Sequence, residues 1–261
     1  MKGRPFLSRL ERFASVDSTQ RIVREWLDAG TREVCVAVAD EQTAGRGRQG
    51  RGWLAPCGAA LLVSAGFRPA GLPVRHAWRL AATASLAMVD AVEMVAGLPE
   101  GALFLKWPND LVADGPDGRL LKVAGVLGET VAMGGAVGHA IIGLGVNADW
   151  PASDFPPALA AGMTSLHELA GGRHVDRDAL LDTWLGLLEA RIEALRDGKF
   201  DAAGWESRQV TTGRQVMMDL ADGVLVGMAS GVDPESGSLL VTEDETTRPI
   251  DSGEVLRCRV V

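Results

Sequence analysis

Hydrophobic and polar positions follow three different rhythms along the chain. Behind Asp17-Ser18-Thr19, the apolar residues Ile22, Val23, Trp26 and Leu27 recur at helical spacing, and Gly30 is placed to end that helix. Residues 34–39 and 59–67 are apolar runs of the length of buried strands, so the polar stretch between them reads as a loop joining two strands. Residues 77–96 are rich in alanine, which predicts a long helix packed across the sheet and ended by Gly97-Leu98-Pro99. Short segments return at 103–107, 123–131 and 140–146, with a turn at 114–118. Leu180, Leu181, Trp184, Leu187, Leu188 and Ile192 then define one face of an amphipathic helix over 176–195.

Beyond about residue 211 the rhythm becomes one of short alternating strands, over 215–220, 224–230, 239–242 and 254–260, with Asp222-Gly223 as a hairpin signal. A stretch of about fifty such residues predicts a small all-β barrel. The expected division is a first domain over residues 1–208 and a second over 209–261. The absence of a fixed period excludes a solenoid.

Composition narrows the class. A chain of 261 residues, 47% of them hydrophobic, has enough apolar side chain for a sizeable core. The formal net charge of -8 opposes a generally basic, nucleic-acid-binding surface, so any arginine cluster is a local feature. Cys35, Cys57 and Cys258 are odd in number and lack a metal-ligand rhythm, which predicts reduced thiols in a cytosolic protein. His76, His139, His167 and His174 fall in separate segments and read as ordinary surface or packing residues. Charges interrupt every apolar run near the N-terminus, and no run is long enough for a bilayer, so neither secretion nor membrane insertion is expected.

Four segments carry candidate chemistry. The first, Gly45-Arg46-Gly47-Arg48-Gln49-Gly50-Arg51-Gly52-Trp53, looks at first like a dinucleotide fingerprint, but Pro56 and Gly58 oppose the helix which that motif requires. Glycines let backbone N–H groups come close to an anion and guanidinium forks match phosphate geometry, so this loop is suited to wrap a polyanion. The second is Lys106-Trp107-Pro108-Asn109-Asp110, where proline stops a strand and turns two polar side chains out of it. In the third, Lys122 enters an otherwise apolar strand, where it either reaches solvent or pairs with a buried anion. The fourth, Gly143-Leu144-Gly145-Val146-Asn147, ends a strand in an amide suited to a carboxylate or phosphate oxygen. On spacing alone, Ser18 and Thr19 read as a helix cap and Asn109-Asp110 as a turn.

Taken in order, Ser18-Thr19, Gln42-Thr43-Ala44-Gly45-Arg46-Gly47-Arg48-x-Gly50-Arg51, Lys106-Trp107-Pro108-Asn109-Asp110, Lys122-x-Ala124-Gly125-Val126-Leu127-x-Glu129 and Gly143-x-Gly145-x-Asn147 closely resemble the biotin protein ligases. The tail, with Gly227, Gly231-Val232-Asp233, Gly237-x-Leu239 and Ser252-Gly253-Glu254-Val255, is similar to the SH3-like C-terminal barrel of that family. The resemblance implies an α+β fold: a mixed, largely antiparallel sheet with flanking helices, related to class II aminoacyl-tRNA synthetases and lipoate ligases. It implies that ATP and biotin form biotinyl-5′-AMP, with Mg²⁺, and that a lysine of a biotin carboxyl carrier protein or domain, as in acetyl-CoA carboxylase, takes the biotinyl group. Ser18, Thr19, Gln20, Gln42, Arg46, Gly47, Arg48, Lys122 and Gly125 are then expected around biotin, with Lys122 and Arg48 acting in the chemistry. Arg51, Trp53, Lys106, Asn109, Asp110 and Asn147 are expected on the nucleotide side, with Asp110 as a Mg²⁺ ligand.

Three departures stand out: Gln20 where the family usually has asparagine, Ala55-Pro56 where it commonly has Ser-Pro, and Gly128 where it usually has a larger residue. Ser18 already opens the first motif, so a monofunctional ligase without the winged-helix domain of repressor members is expected. The resemblance implies a cytoplasmic monomer or homodimer with neither DNA nor membrane as a partner. A lipoate or octanoyl ligase, which shares the mechanism, and a non-catalytic protein that grips nucleic-acid phosphate with the arginine loop remain as alternatives.

Overall fold

The computed structural model describes residues 6–221, 223–251 and 253–259. In chain order its strands and helices are β1 (Arg9–Val16), α1 (Thr19–Asp28), β2 (Cys35–Gln42), β3 (Ala60–Phe67), α2 (Trp78–Ala96), β4 (Leu103–Lys106), β5 (Asp110–Asp114), β6 (Leu120–Met133) and β7 (Ala136–Asn147). Then come α3 (Pro157–Ala160), α4 (Leu166–Leu169), α5 (Arg177–Arg196), α6 (Ala202–Ser207) and strands β8 (Gln215–Leu220), β9 (Gly223–Val232), β10 (Leu239–Glu243), β11 (Thr246–Ile250) and β12 (Glu254–Arg259).

Strands β1 to β7 form one sheet in the order β1-β2-β3-β7-β6-β5-β4, antiparallel except for β1 beside β2. Alternation along its strands sends side chains to two different cores. Val36 and Val38 of β2, with Leu61, Val63 and Ala65 of β3, meet α2 and α5 in the main core. Cys35 and Ala37, from the opposite face of β2, join Val23, Trp26 and Leu27 of α1. Burial pushes the Cys35 thiol up to about 11, which leaves it a packing group rather than a nucleophile. Helix α1 can lie this close because β3 presents Gly66 to it: a Cβ there would stand 2.6 Å from Val23 Cγ1 and 2.8 Å from Cys35 Sγ.

The second sheet, β11-β10-β9-β8-β12, is entirely antiparallel, and its core takes in Trp107 from the loop between β4 and β5. Trp107 Nε1 donates to Gly237 O at 3.0 Å, and its backbone N–H donates to Thr211 Oγ1, also at 3.0 Å. The two sheets are thus joined through a side chain from one of the polar motifs.

The structure adds strands that periodicity does not reveal. Strand β1 is a sheet edge of half-exposed residues with Arg9, Glu11 and Arg12 interrupting it, so it has no apolar run to read. Strand β5 is five residues long and begins at Asp110, where a polar motif conceals it. Strands β6 and β7 extend further than expected because their hairpin tip is exposed, with Met133 at 74%. Asp222 and Val260, expected in a hairpin turn and a strand, lie outside the described residues. Among the described residues no helix is long and apolar enough to cross a membrane.

Candidate active site

On the α1 side of the main sheet, at the start of α1, the floor is made of small residues from three adjacent strands. Ser64 of β3 pairs with Gly143 of β7, and Gly145 of β7 pairs with Gly125 of β6. Without larger side chains, the sheet surface drops into a cleft of about 410 Å³, within the size range of small-molecule sites. Trp53 lies on this floor: a Cβ at Gly145 would be 2.4 Å from its indole, and one at Gly125 would be 2.9 Å away. The floor therefore requires glycine at these positions.

One end of the cleft is uncharged and rich in hydrogen-bonding groups. The Thr19 backbone N–H and hydroxyl both donate to Gln42 Oε1, at 2.8 and 3.1 Å, and the same hydroxyl meets Ser64 Oγ at 2.8 Å. Ser18 stands at the position before α1 but its side chain makes no cap to a described residue, so the capping reading of Ser18-Thr19 is replaced by a role in the cleft wall. The buried Gln20 donates its amide to Leu127 O at 2.9 Å and lies against Gly143.

The other end is cationic. Lys122 Nζ stands 2.6 Å from Asp110 Oδ1 and 5.5 Å from the centroid of the Trp53 ring. That Asp110 oxygen is buried, and among the described residues no donor meets it with hydrogen-bond alignment. Lys122 thus pairs with a half-buried anion. The strand that carries it is fixed from behind: Lys122 N donates to Gly162 O and Thr164 N to Lys122 O, each at 2.9 Å. Residues 162–164 also receive the Asn147 amide, whose Nδ2 donates to Thr164 O at 3.0 Å. Asn109 Nδ2 similarly donates to Val126 O at 2.7 Å, and Val126 N to Asn109 O at 2.8 Å.

Above the floor, the arginine loop closes on itself through Trp53 N to Gly45 O at 2.9 Å and Gly47 N to Arg51 O at 2.7 Å. Its side chains diverge. Arg46 Nη1 is 3.5 Å from Glu129 Oε1 on β6, and Arg48 Nη1 donates to Gly253 O beside β12 at 3.3 Å. Lys106 Nζ donates to Val255 O at 3.1 Å, so the second sheet contributes a wall through its backbone carbonyls.

All the residues expected around biotin or the nucleotide line this one cleft: Ser18, Thr19, Gln20, Gln42, Arg46, Gly47, Arg48, Arg51, Trp53, Lys106, Asn109, Asp110, Lys122, Gly125 and Asn147. Sequence reasoning did not place Ser64, Gly253, Val255, Ala158, Leu159, Gly162 or Met163 in the cleft. A lone serine inside the apolar run 60–67 is the signal that marks Ser64; nothing local marks the others. Asp110 is the single carboxylate among the described lining residues, and no cluster of three or more His, Cys, Asp or Glu suited to a metal occurs among the described residues. That donor set fits Mg²⁺ carried in on phosphates better than a resident metal.

Asp149 lies just beyond β7, where it holds His167 Nδ1 at 3.0 Å and His174 Nδ1 at 2.6 Å. Burial raises its carboxyl, but the hydrogen bonds from His174 and His167 outweigh this and hold it below the usual carboxylate range.

A small-residue sheet face between a hydroxyl-amide end and a cationic end, roofed by a basic loop, defines a class: α+β proteins that bind an extended ligand with one charged end. Residues 12–147 match the biotin/lipoate A/B protein ligase family, and residues 211–257 match the biotin protein ligase C-terminal domain. A biotin–(acetyl-CoA-carboxylase) ligase of Mycobacterium tuberculosis is 34% identical, over 86% of this chain and 79% of its own. The bifunctional ligase/repressor BirA of Bacillus subtilis is 32% identical, over 92% of this chain and 71% of its own. The biotin protein ligase of Aquifex aeolicus in complex with biotin and ATP superposes with a TM-score of 0.77 at 28% identity, covering 97% of this chain and 99% of the other. The chain belongs to the biotin/lipoate A/B protein ligase family, as a member that carries the biotin protein ligase C-terminal domain.

Proposed function

We infer that this protein is an ATP-dependent ligase that activates biotin as biotinyl-5′-AMP and transfers the biotinyl group to a lysine of a biotin carboxyl carrier domain. The observation that carries the reading is the polarity of the cleft, with hydroxyl and amide groups at one end, glycine in the middle and cations at the other. A ureido ring offers N–H donors and a carbonyl acceptor to Ser18, Thr19, Gln20, Gln42 and Ser64. A dithiolane ring has no strong donor or acceptor to offer them, which favours biotin over lipoate. The flexible acid chain then crosses Gly143, Gly145 and Gly125 and delivers its carboxylate to Lys122 and the arginine loop.

Activation joins two anions: a carboxylate oxygen attacks the α-phosphorus and pyrophosphate leaves. Lys122, Arg46 and Arg48 screen that approach, with the Gly47 backbone close by, and no protein nucleophile is needed. Arg51, Trp53, Lys106, Asn109, Asp110 and Asn147 form the nucleotide side. Lys106 keeps two ammonium protons beyond the one given to Val255, and Asn109 and Asn147 keep their amide oxygens. Mg²⁺ bound on the phosphates beside Asp110 would add charge neutralisation there. In the second step the carrier lysine attacks the acyl carbonyl, an amide forms and AMP leaves.

We assign residues 1–208 to the ligase domain and 209–261 to the barrel, and place the protein in the reducing cytoplasm, since Cys35, Cys57 and Cys258 are free thiols. A carrier domain of acetyl-CoA carboxylase or of a related carboxylase is the proposed partner. Incubation with biotin, MgATP and such a carrier tests the reading. Labelling of one carrier lysine with biotin-dependent pyrophosphate release is expected; a folded sample that does neither overturns it.

A further inference from the structure

Two side chains of the arginine loop reach different sheets. Arg48 meets the second sheet at Gly253 O, while Arg46 meets the main sheet at Glu129, whose other oxygen, Oε2, holds Arg24 of α1. Glu129 is not among the residues lining the cleft, and its side chain is 22% exposed against 60% for Arg46. A half-covered carboxylate that faces the root of a loop bearing three arginines gives Arg46 a fixed counter-charge on the main sheet before an anionic ligand arrives. We infer that Glu129 is a positioning residue, the catch that holds the arginine loop down over the cleft through Arg46 and so sets how long an enclosed acyl-adenylate is retained.

This rests on the ligase reading for what is retained, but not for the catch itself. Two consequences follow from the geometry. Loss of the Glu129 charge opens the loop from the β6 side, and that effect disappears when Arg46 is already neutral. Arg24 shares the carboxylate from α1, so a merely structural Glu129 would couple to Arg24 instead.

The experiment compares the parent with Glu129→Gln, Arg46→Gln, Arg24→Gln and the two double variants that contain Glu129→Gln. Release of preformed biotinyl-adenylate is followed after a chase with unlabelled biotin and ATP. Glu129→Gln is expected to release it about two- to fivefold faster, the range of a partly exposed ion pair. The Glu129→Gln, Arg46→Gln pair should be no faster than the quicker single variant, while Arg24→Gln, which leaves the carboxylate to Arg46, should not speed release. Equal release in parent and Glu129→Gln, or coupling to Arg24 in place of Arg46, overturns the inference. Trypsin cleavage after Arg51 in the ligand-free protein reads the same cycle without substrate. A parent that makes no adenylate therefore removes the ligase reading, while cleavage still decides the catch: faster in Glu129→Gln supports it, unchanged overturns it.

Discussion

At the scale of single residues, Lys122 shows how one contact changes the meaning of a substitution. The lysine pairs with Asp110 at 2.6 Å, so Lys122→Ala both removes a cation from the reacting end and strands a carboxylate that is 22% exposed. A lost charged hydrogen bond is worth about 1.5–3 kcal/mol, which in the transition state is about tenfold to over a hundredfold in rate. Adenylate formation, measured as biotin-dependent pyrophosphate exchange, should fall by that factor. The double variant Lys122→Met, Asp110→Asn has no stranded charge and should recover thermal stability but not the rate. Recovery of both would make Lys122 a structural partner of Asp110. The same scale explains what the sequence conceals: Lys122, Asn109 and Asn147 are legible as polar residues in odd places, but their partners Asp110 and Val126 are chosen by strand pairing across the sheet, and Thr164 by a loop that packs against it.

Between elements, the decisive feature is how near α1 comes to the sheet. Gly66→Ala would push a methyl group to 2.6 Å from Val23 Cγ1 and 3.0 Å from Leu27 Cδ1, an overpacking that costs about 1–3 kcal/mol. Since α1 begins at Thr19, the same shift should weaken biotin binding. Denaturant unfolding and biotin titration of the variant check both outcomes, and a parent-like affinity would show that the helix start does not follow its middle. A second test concerns the loop after β7, where Asp149 gathers His167 and His174. Its folded carboxyl value is depressed, so its contribution to stability is fully present above the unfolded value of 3.8 and is lost as pH falls through the lower folded value. The advantage of the parent over Asp149→Asn in thermal unfolding should therefore be present above the ordinary carboxylate range and vanish below it. An advantage that persists in strong acid would assign it to packing rather than charge.

For the whole molecule, the arginine loop is a second link between the sheets besides the β4–β5 segment, held at Glu129 on one and beside β12 at Gly253 on the other. Repeated glycines raise the entropy of the open loop, and an anionic ligand offsets repulsion among its arginines. Biotin with ATP should therefore slow trypsin cleavage at Arg46, Arg48 and Arg51. Arg48→Gly deletes the contact to the second sheet and adds backbone freedom, so this variant should release the adenylate faster and raise biotin labelling of a bystander protein. Cleavage that ignores ligand, together with unchanged bystander labelling, would show that the loop does not retain the intermediate.

Local patterning alone marks the amphipathic helices, the central strands, the change of rhythm near residue 211 and the polar motifs that line the cleft. These are local: helical and alternating periods and the positions of glycine and proline are set by neighbours in the chain. The edge strand β1 and the five-residue β5 were not legible, because an edge needs no apolar run and a short strand borrows its stability from partners. Nor was the reach of Trp107 into the second core, which turns a candidate site motif into the joint between two sheets. Only the tertiary structure decided that Ser64, Gly143, Gly145 and Gly125 make one floor, and that Gly253 and Val255 form part of its wall. The physical reason is that register and sheet order are set by burying both faces at once, and no segment carries that information alone.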